Sequence, residues 1–208
     1  LINTSGGHAK YIECDVTNID SVRGAIKFCM FHFGRIDMAI LNAGIGGSFD
    51  FGTFDHKVFS NVLNTNFLGV LNCMSEIVPI MKEQGSGTIA GISSLADTRS
   101  IPGNSAYIAS KMALSNVLET ASIELRKFGV NVVTVRPGFI KTNIIKGNTH
   151  PMPFLMSPEK AARIIVKGVV KGRSNISFPF PLAALSFIVK LIPTSVWKYI
   201  FRFIEPRR

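Results

Sequence analysis

Cysteine is scarce in this sequence: Cys14, Cys29 and Cys73 are the only three in 208 residues, and none has a CxxC or CxH neighbour. An odd, scattered set excludes a disulfide-rich secreted fold and a zinc module, and fits thiols that fill core space in a reducing, cytoplasmic compartment. No HExxH or paired-ligand spacing joins His8, His32, His56 and His150, so surface or capping roles are expected for them and no metal site. Residues 1–7 lack the basic start, apolar core and small-residue cleavage site of a secretory signal. The 18 glycines have no three-residue period, which excludes collagen.

Apolar residues make up 47% of the chain and charged residues 17%, which excludes a disordered polyampholyte and leaves enough material for one substantial core. Acidic residues are few, 13 against 23 basic, for a net charge of +10. The imbalance is local. Residues 1–150 carry 13 basic and 11 acidic side chains, whereas residues 151–208 carry 10 and 2. The basic C-terminal quarter therefore needs its own explanation.

Periodicity reads as strands alternating with helices. Lys10 to Cys14 has strand character, and Val22, Ala25, Ile26, Cys29 and Phe33 recur at helical spacing between a Thr17 or Asn18 cap and Gly34. Ile36 to Leu41, Thr88 to Ser93 and Val130 to Val135 are apolar runs of strand length. Helices are expected over Asp55 to about Lys82, with Pro79 near the end, over Asn104 to Phe128, and from about Ser157. Apolar strands alternating with helices predict an α/β fold, a doubly wound parallel sheet covered on both faces. Ligands bind such sheets beyond the carboxyl ends of the strands. Asp15, Asn42, Ser94 and Pro137-Gly138 all fall just past such an end.

The sharpest chemical signal is Tyr107-x-x-x-Lys111 within the long helix, whose i, i+4 spacing puts both side chains on one face. A free tyrosine is only about one part in a thousand phenolate at neutral pH. An ammonium ~4 Å away at an effective dielectric of ~20 offers roughly 4 kcal/mol toward ionisation before desolvation subtracts from it, the size needed for a general acid/base. Alone, the motif also describes a half-buried tyrosine with a solvated lysine one turn on. Ser94 alone suits a turn, Asn66 a satisfied buried amide, and Asn42-Ala43-Gly44 a tight turn.

Taken together, Asp15-Val16, Asn42-Ala43-Gly44, Asn66-Phe67-Leu68-Gly69, Ser93-Ser94, Tyr107-x-x-x-Lys111 and Pro137-Gly138 with Thr142 resemble the short-chain dehydrogenase/reductase family. The resemblance covers residues 10 to about 145. It implies a Rossmann-type fold and an oxidoreductase that uses NADP or NAD to interconvert an alcohol and a ketone or aldehyde. It further implies that Tyr107 passes the proton, Lys111 lowers its pKa and holds the nicotinamide ribose, Ser94 orients the substrate oxygen and Asn66 anchors a relay water. Asp15 and Val16 would meet the adenine, Asn42, Ala43 and Gly44 the adenosine side, and Pro137, Gly138, Ile140 and Thr142 the nicotinamide. A homo-oligomer through helices 56–84 and 104–128 is implied in the same way.

The family's TGxxxGxG turn, which belongs to the first βα unit, does not occur in this sequence. An N-terminally truncated sheet is therefore expected, with Leu1 falling where the third strand should begin. Unpaired strand edges in such a chain predict poor solubility. Two readings stay open: part of a catalytically complete protein, or a catalytically silent remnant that binds a membrane surface or a protein.

Composition divides the chain into a Rossmann-type domain over 1–175 and a basic, aromatic extension over 176–208. Within the extension, residues 182–204 read as two short amphipathic helices around Pro193, with apolar runs too short to span a bilayer. They suit either an anionic lipid surface or packing over the substrate cleft or a subunit. The aromatic residues sit in apolar runs without a basic groove pattern, so no nucleic acid is expected. The loop from Asn143 to Met156 and the aromatic tail lean toward a small hydrophobic substrate.

Overall fold

The computed structural model describes residues 2–145 and 151–204, without the side chains of 203 and 204. His150, one of the histidines considered above, lies outside the described residues.

Four strands form one parallel sheet in the order β1-β2-β3-β4: β1 Met38–Leu41, β2 Gly87–Ile92, β3 Val130–Pro137 and β4 Asn175–Phe178. Successive residues point to opposite faces, and this separates two cores. On one face Ala39, Leu41, Ile89, Val130 and Val132 pack with Val70, Met74, Ile77, Leu114 and Leu118. On the other, Ala90, Val133, Val135, Ile176 and Phe178 pack with Met156, Ala161 and Val169.

The helices that supply these side chains begin and end where the sequence places capping residues. α1 (Ile19–Phe33) is opened by Asn18, whose Oδ1 accepts from the backbone N–H of Asp20 at 2.9 Å and of Ser21 at 3.3 Å. Gly34 closes it at a φ of 73°. α2 (His56–Leu63) is capped by Asp55, α4 (Ser105–Glu124) follows Asn104, and α5 (Pro158–Val170) is capped by Ser157 with Pro158 in its first turn. Gly129, at a φ of 75°, turns the chain into β3 so close to Gly85 that a Cβ would collide with its carbonyl.

Four expectations change. Lys10 to Cys14 forms no strand: among the described residues no segment lies alongside it to complete a ladder, and Tyr11 is 96% exposed. The helix expected over 55–82 is not continuous. A π-helical segment, Asn64–Leu68, interrupts it and leads into α3 (Gly69–Gln84), with Pro79 inside that helix. The sheet is not covered on both faces throughout, because the second core contains no β1 residue and Met38 and Ile40 are exposed. Cys14 is exposed rather than a core filler, while Cys29 and Cys73 are half-buried.

β4 straddles the 175/176 boundary expected from composition. It pairs with β3 from Thr134↔Asn175 to Pro137↔Phe178, so the sheet runs on to Phe178. Two helices follow, α6 (Phe180–Leu191) and α7 (Thr194–Ile204), with Pro193 between them.

Candidate active site

Past the carboxyl ends of β1 and β2 two chain segments converge on α4, and the segment after β3 meets the one after β1. Each is fixed by a different hydrogen-bond device.

The segment after β1 is held by Asn66, which the π-helical turn presents from a fully buried position. Such an extra-wide turn re-aims a side chain out of the regular helical register and is frequent at functional sites. Asn66 Oδ1 accepts from the Ile45 N–H at 2.7 Å, and Nδ2 donates to Ile45 O at 2.9 Å and to Ser110 Oγ at 3.1 Å. Ser110 in turn donates to Tyr107 O at 2.7 Å. Gly44 sits beside this clamp. A Cβ there would lie 3.3 Å from Asn66 Oδ1 and 3.5 Å from Lys111 Nζ, so bare backbone meets the lysine.

The segment after β2 carries Ser93 and Ser94. Ser93 Oγ donates to Lys111 O at 3.1 Å and accepts from Ser115 at 2.7 Å, while Ser94 caps the next turn by accepting from the Ala96 N–H at 3.1 Å. In that turn lies Asp97, buried at 3% side-chain exposure. Its Oδ2 accepts from Ser93 at 3.2 Å, from Ser115, and from Arg136 Nε at 2.7 Å. Arg136 Nη1 continues to Asn175 Oδ1 at 2.7 Å, which ties β3 to β4.

Tyr107 and Lys111 occupy one face of α4, the ammonium 5.7 Å from the ring centre. The Ser94 hydroxyl is within hydrogen-bonding reach of the phenol. Burial pushes the Tyr107 phenol above its ordinary value, the Ser94 bond pulls it back, and Asp97 adds to the rise. The lowering by Lys111 that the spacing suggests is not the governing influence here. The lysine is itself buried, which pushes it down to about 8, and its Nζ donates to Ile92 O at 2.7 Å.

A second, adjoining cleft is lined by Val16, Leu41, Asn42, Ala43, Gly69 and Cys73. Val16 is pinned there by Asn72 Nδ2, which donates to its carbonyl at 2.9 Å. Asp15 does not line this cleft. Its Oδ1 accepts from Thr17 Oγ1 at 2.8 Å and from the Thr17 N–H at 2.9 Å, which holds the carboxyl below the usual carboxylate range.

The segment after β3 is anchored by the Gly138 N–H, which donates to Phe178 O at 2.7 Å. Pro137 pairs with Phe178, Ile140 bridges Met156, and Thr142 is exposed at the start of a short turn. Gly46 after β1 approaches Ile144 O, so the loops after β1 and β3 meet. Among the described residues no three His, Cys, Asp or Glu side chains are placed to hold a metal ion.

Sequence reasoning missed Asp97, Arg136, Ser110 and Ser115. Ser110 and Ser115 flank Lys111 on α4 and carry a weak signal as polar residues in an otherwise apolar helix face. Asp97 and Arg136 are 39 residues apart and carry none.

Comparison with known proteins identifies the family and the fold. The short chain dehydrogenase family matches residues 1–152. An uncharacterized oxidoreductase of Myxococcus xanthus is 34% identical over 186 residues, 89% of this chain and 74% of that protein. A 3-ketodihydrosphingosine reductase of Bacteroides thetaiotaomicron is 36% identical over 138 residues, 65% of this chain, and the match spans only about half of that relative, 51%. A short chain dehydrogenase/reductase of Burkholderia phymatum, solved in complex with NAD, has the same fold at a TM-score of 0.81 and 21% identity, over 88% of this chain and 75% of that one. The chain belongs to the short-chain dehydrogenase/reductase family.

Proposed function

We propose that this chain forms the catalytic part of an NAD(P)-dependent oxidoreductase that interconverts a small, hydrophobic alcohol and its ketone or aldehyde. The observation that carries the reading is the convergence of Ser94, Tyr107, Lys111 and Asn66 beyond the carboxyl ends of the strands.

Two features of the chain suit a nicotinamide dinucleotide. Gly44 leaves open the space beside Lys111 that a side chain would fill, and the cleft of Val16, Leu41, Asn42 and Ala43 offers apolar walls with an amide at the rim. Val16, Asn42 and Ala43 would hold the adenosine half, Asp15 would border it, and Lys111 with the Pro137-Gly138, Ile140 and Thr142 segment would hold the nicotinamide half. When bound, the nicotinamide supplies or accepts the hydride.

The residues of the chain handle the proton. With its pKa raised by burial, Tyr107 is protonated at neutral pH and its Oη–H is a proton donor to a carbonyl oxygen. Ser94, in reach of the same hydroxyl, offers a second donor to that oxygen and so fixes its position. The phenolate left behind is opposed by the buried Lys111 ammonium. Asn66 keeps the β1 segment and the Tyr107 turn in one arrangement through Ile45 and Ser110.

The test has two parts. NADH or NADPH at 100 times its Kd should stabilise the folded chain by about 2.7 kcal/mol, read as a thermal shift. Carbonyl reduction in the Tyr107→Phe variant should fall by at least about 10²-fold, with the shift retained. Full turnover in that variant would overturn the assignment of the proton to Tyr107. Lipid or protein binding without any nucleotide-dependent shift in a folded sample would favour the catalytically silent reading.

A further inference from the structure

α6 is turned inside out relative to an ordinary surface helix. At the helical repeat, Phe180, Leu185, Phe187, Ile188 and Leu191 share an arc of roughly half its circumference. That arc faces away from the protein: Phe180 is 81%, Phe187 65% and Leu191 69% exposed, and no residue of α6 is fully buried. The opposite side, with Leu182, Ser186 and Val189, is only half-buried. Contiguous exposed apolar surface of this kind marks a binding face.

The helix is held in this orientation. Arg99 Nη2 donates to Ile192 O at 2.7 Å and to Thr194 Oγ1 at 3.5 Å, with its guanidinium 5.7 Å from the Trp197 ring centre. Trp197 Nε1 donates to Ser100 O at 2.8 Å. Leu182 packs against the backbone at Gly138, where a Cβ would come within 3.0 Å of it. Rolling the apolar arc inward would break these contacts.

Charge decides what covers the face. Lys190 lies in the last turn of α6, Lys198 and Arg202 are exposed along α7, and residues 176–208 carry five basic side chains against one acidic. A two-fold contact with its axis at the α6–α7 bend would bring this same basic set against itself. A transmembrane course does not fit either. Among the described residues no single helix is long and apolar enough to cross a membrane, and α6 and α7, which reach that length and composition together, are bent by 111°. At 12 residues α6 alone is about 18 Å long, well short of the ~30 Å hydrocarbon layer.

We propose that the outward face of α6, with Lys190 and the basic residues of α7, docks on an anionic bilayer surface. Apolar side chains enter the headgroup boundary while lysine and arginine meet the lipid phosphates and carboxylates. The docked helix is the one that abuts Gly138 and the turn containing Asp97. On the reading of the site given above, this position favours carbonyl compounds partitioned into the bilayer.

Flotation of the 1–208 chain tests the docking itself and does not depend on turnover. The probes are vesicles of phosphatidylcholine alone, or with roughly a third phosphatidylserine, at low ionic strength. The chain should float with the anionic vesicles and at least about tenfold less with the neutral ones. Phe187→Glu/Ile188→Glu/Leu191→Glu should abolish flotation with an unchanged melting curve, since all three side chains are exposed. Lys198→Glu/Arg202→Glu should remove the preference for anionic lipid. Failure of the unaltered chain to float, or equal flotation of the triple variant, would overturn the proposal. So would a dimer, seen by sedimentation velocity, that the triple variant dissociates in the absence of any flotation; a second copy would then cover the face.

Discussion

Asn66 and Ile45, 21 residues apart, exchange two hydrogen bonds, so that a side-chain amide takes the place of a neighbouring strand's backbone. Ile45 lies beyond the end of β1, where among the described residues no ladder partner is available to its N–H and C=O. The π-helical turn is what lets one asparagine reach both groups while still donating to Ser110.

Replacing Asn66 by leucine removes all three bonds and leaves partly buried polar groups without partners. At about 1 kcal/mol for each, the loss should be about 2–3 kcal/mol. The urea midpoint measures it. Asn66→Asp can still accept from the Ile45 N–H but places a carboxylate against the Ile45 carbonyl, so it should fall below the native chain as well.

Much of this was legible in the sequence, for identifiable reasons. The α1 cap at Asn18, the Gly34 stop, the Asp55 and Ser157 caps and the Gly129 turn are local devices, written in adjacent residues. The i, i+4 spacing of Tyr107 and Lys111 is equally local. What failed depended on partners distant in the chain. Lys10 to Cys14 has strand composition, yet a strand exists only beside another. β4 is a short strand whose pairing with β3 overrides the change in composition at 176. The π-helical turn leaves the apolar pattern of residues 55–82 intact and so gives no periodicity signal. How far desolvation offsets the pull of Lys111 on Tyr107 is not written in their spacing, which gives proximity but not burial, and burial governs both groups.

Asp97 and Arg136 offer the next prediction. Their bond joins the turn after Ser94 to β3, and through Asn175 to β4. Breaking a buried pair by removing one partner costs about 3–5 kcal/mol when the remaining charge is fully enclosed. Arg136 is about a fifth exposed and keeps Asn175, so Asp97→Ala should cost less, about 2–3 kcal/mol. The double variant Asp97→Ala/Arg136→Met should recover part of that loss, because no uncompensated charge remains. Denaturant midpoints of the native chain, the two single variants and the double variant give the coupling directly.

Gly44 tests the nucleotide reading without touching a proton-bearing group. A methyl there comes to 3.3 Å from Asn66 Oδ1 and 3.5 Å from Lys111 Nζ, a contact that small shifts can relieve. Gly44→Ala should therefore melt within about 1 kcal/mol of the native chain. Gly44→Val, which fills the space beside Lys111, should lose most of the NADH- or NADPH-induced thermal shift. A shift of native size in the valine variant would place the nucleotide elsewhere.

The pH dependence of stability follows from Lys111 and Tyr107 on α4 together with Cys73 on α3, whose thiol burial pushes up to about 11. Lys111 sits at about 8 in the folded chain against its ordinary 10.5 when unfolded. Between these values the unfolded chain binds a proton that the folded chain has released, so the lysine's contribution to stability rises with pH across that window. The 2.5-unit difference corresponds to a gain of about 3 kcal/mol at most. Tyr107 acts oppositely and later. Its folded pKa lies above the ordinary 10.0, so above pH 10 the unfolded chain loses its phenolic proton first and stability falls. Cys73, raised from 9.0 to about 11, loses its proton first in the unfolded chain and offsets the lysine from pH 9, so urea midpoints should climb from pH 8, level off between about pH 9 and 10 and then decline. In Lys111→Met the climb should vanish while the decline remains, and in Tyr107→Phe the climb should remain while the decline weakens. A climb that persists in Lys111→Met would mean that another buried cation, not the lysine facing Tyr107, carries the desolvation.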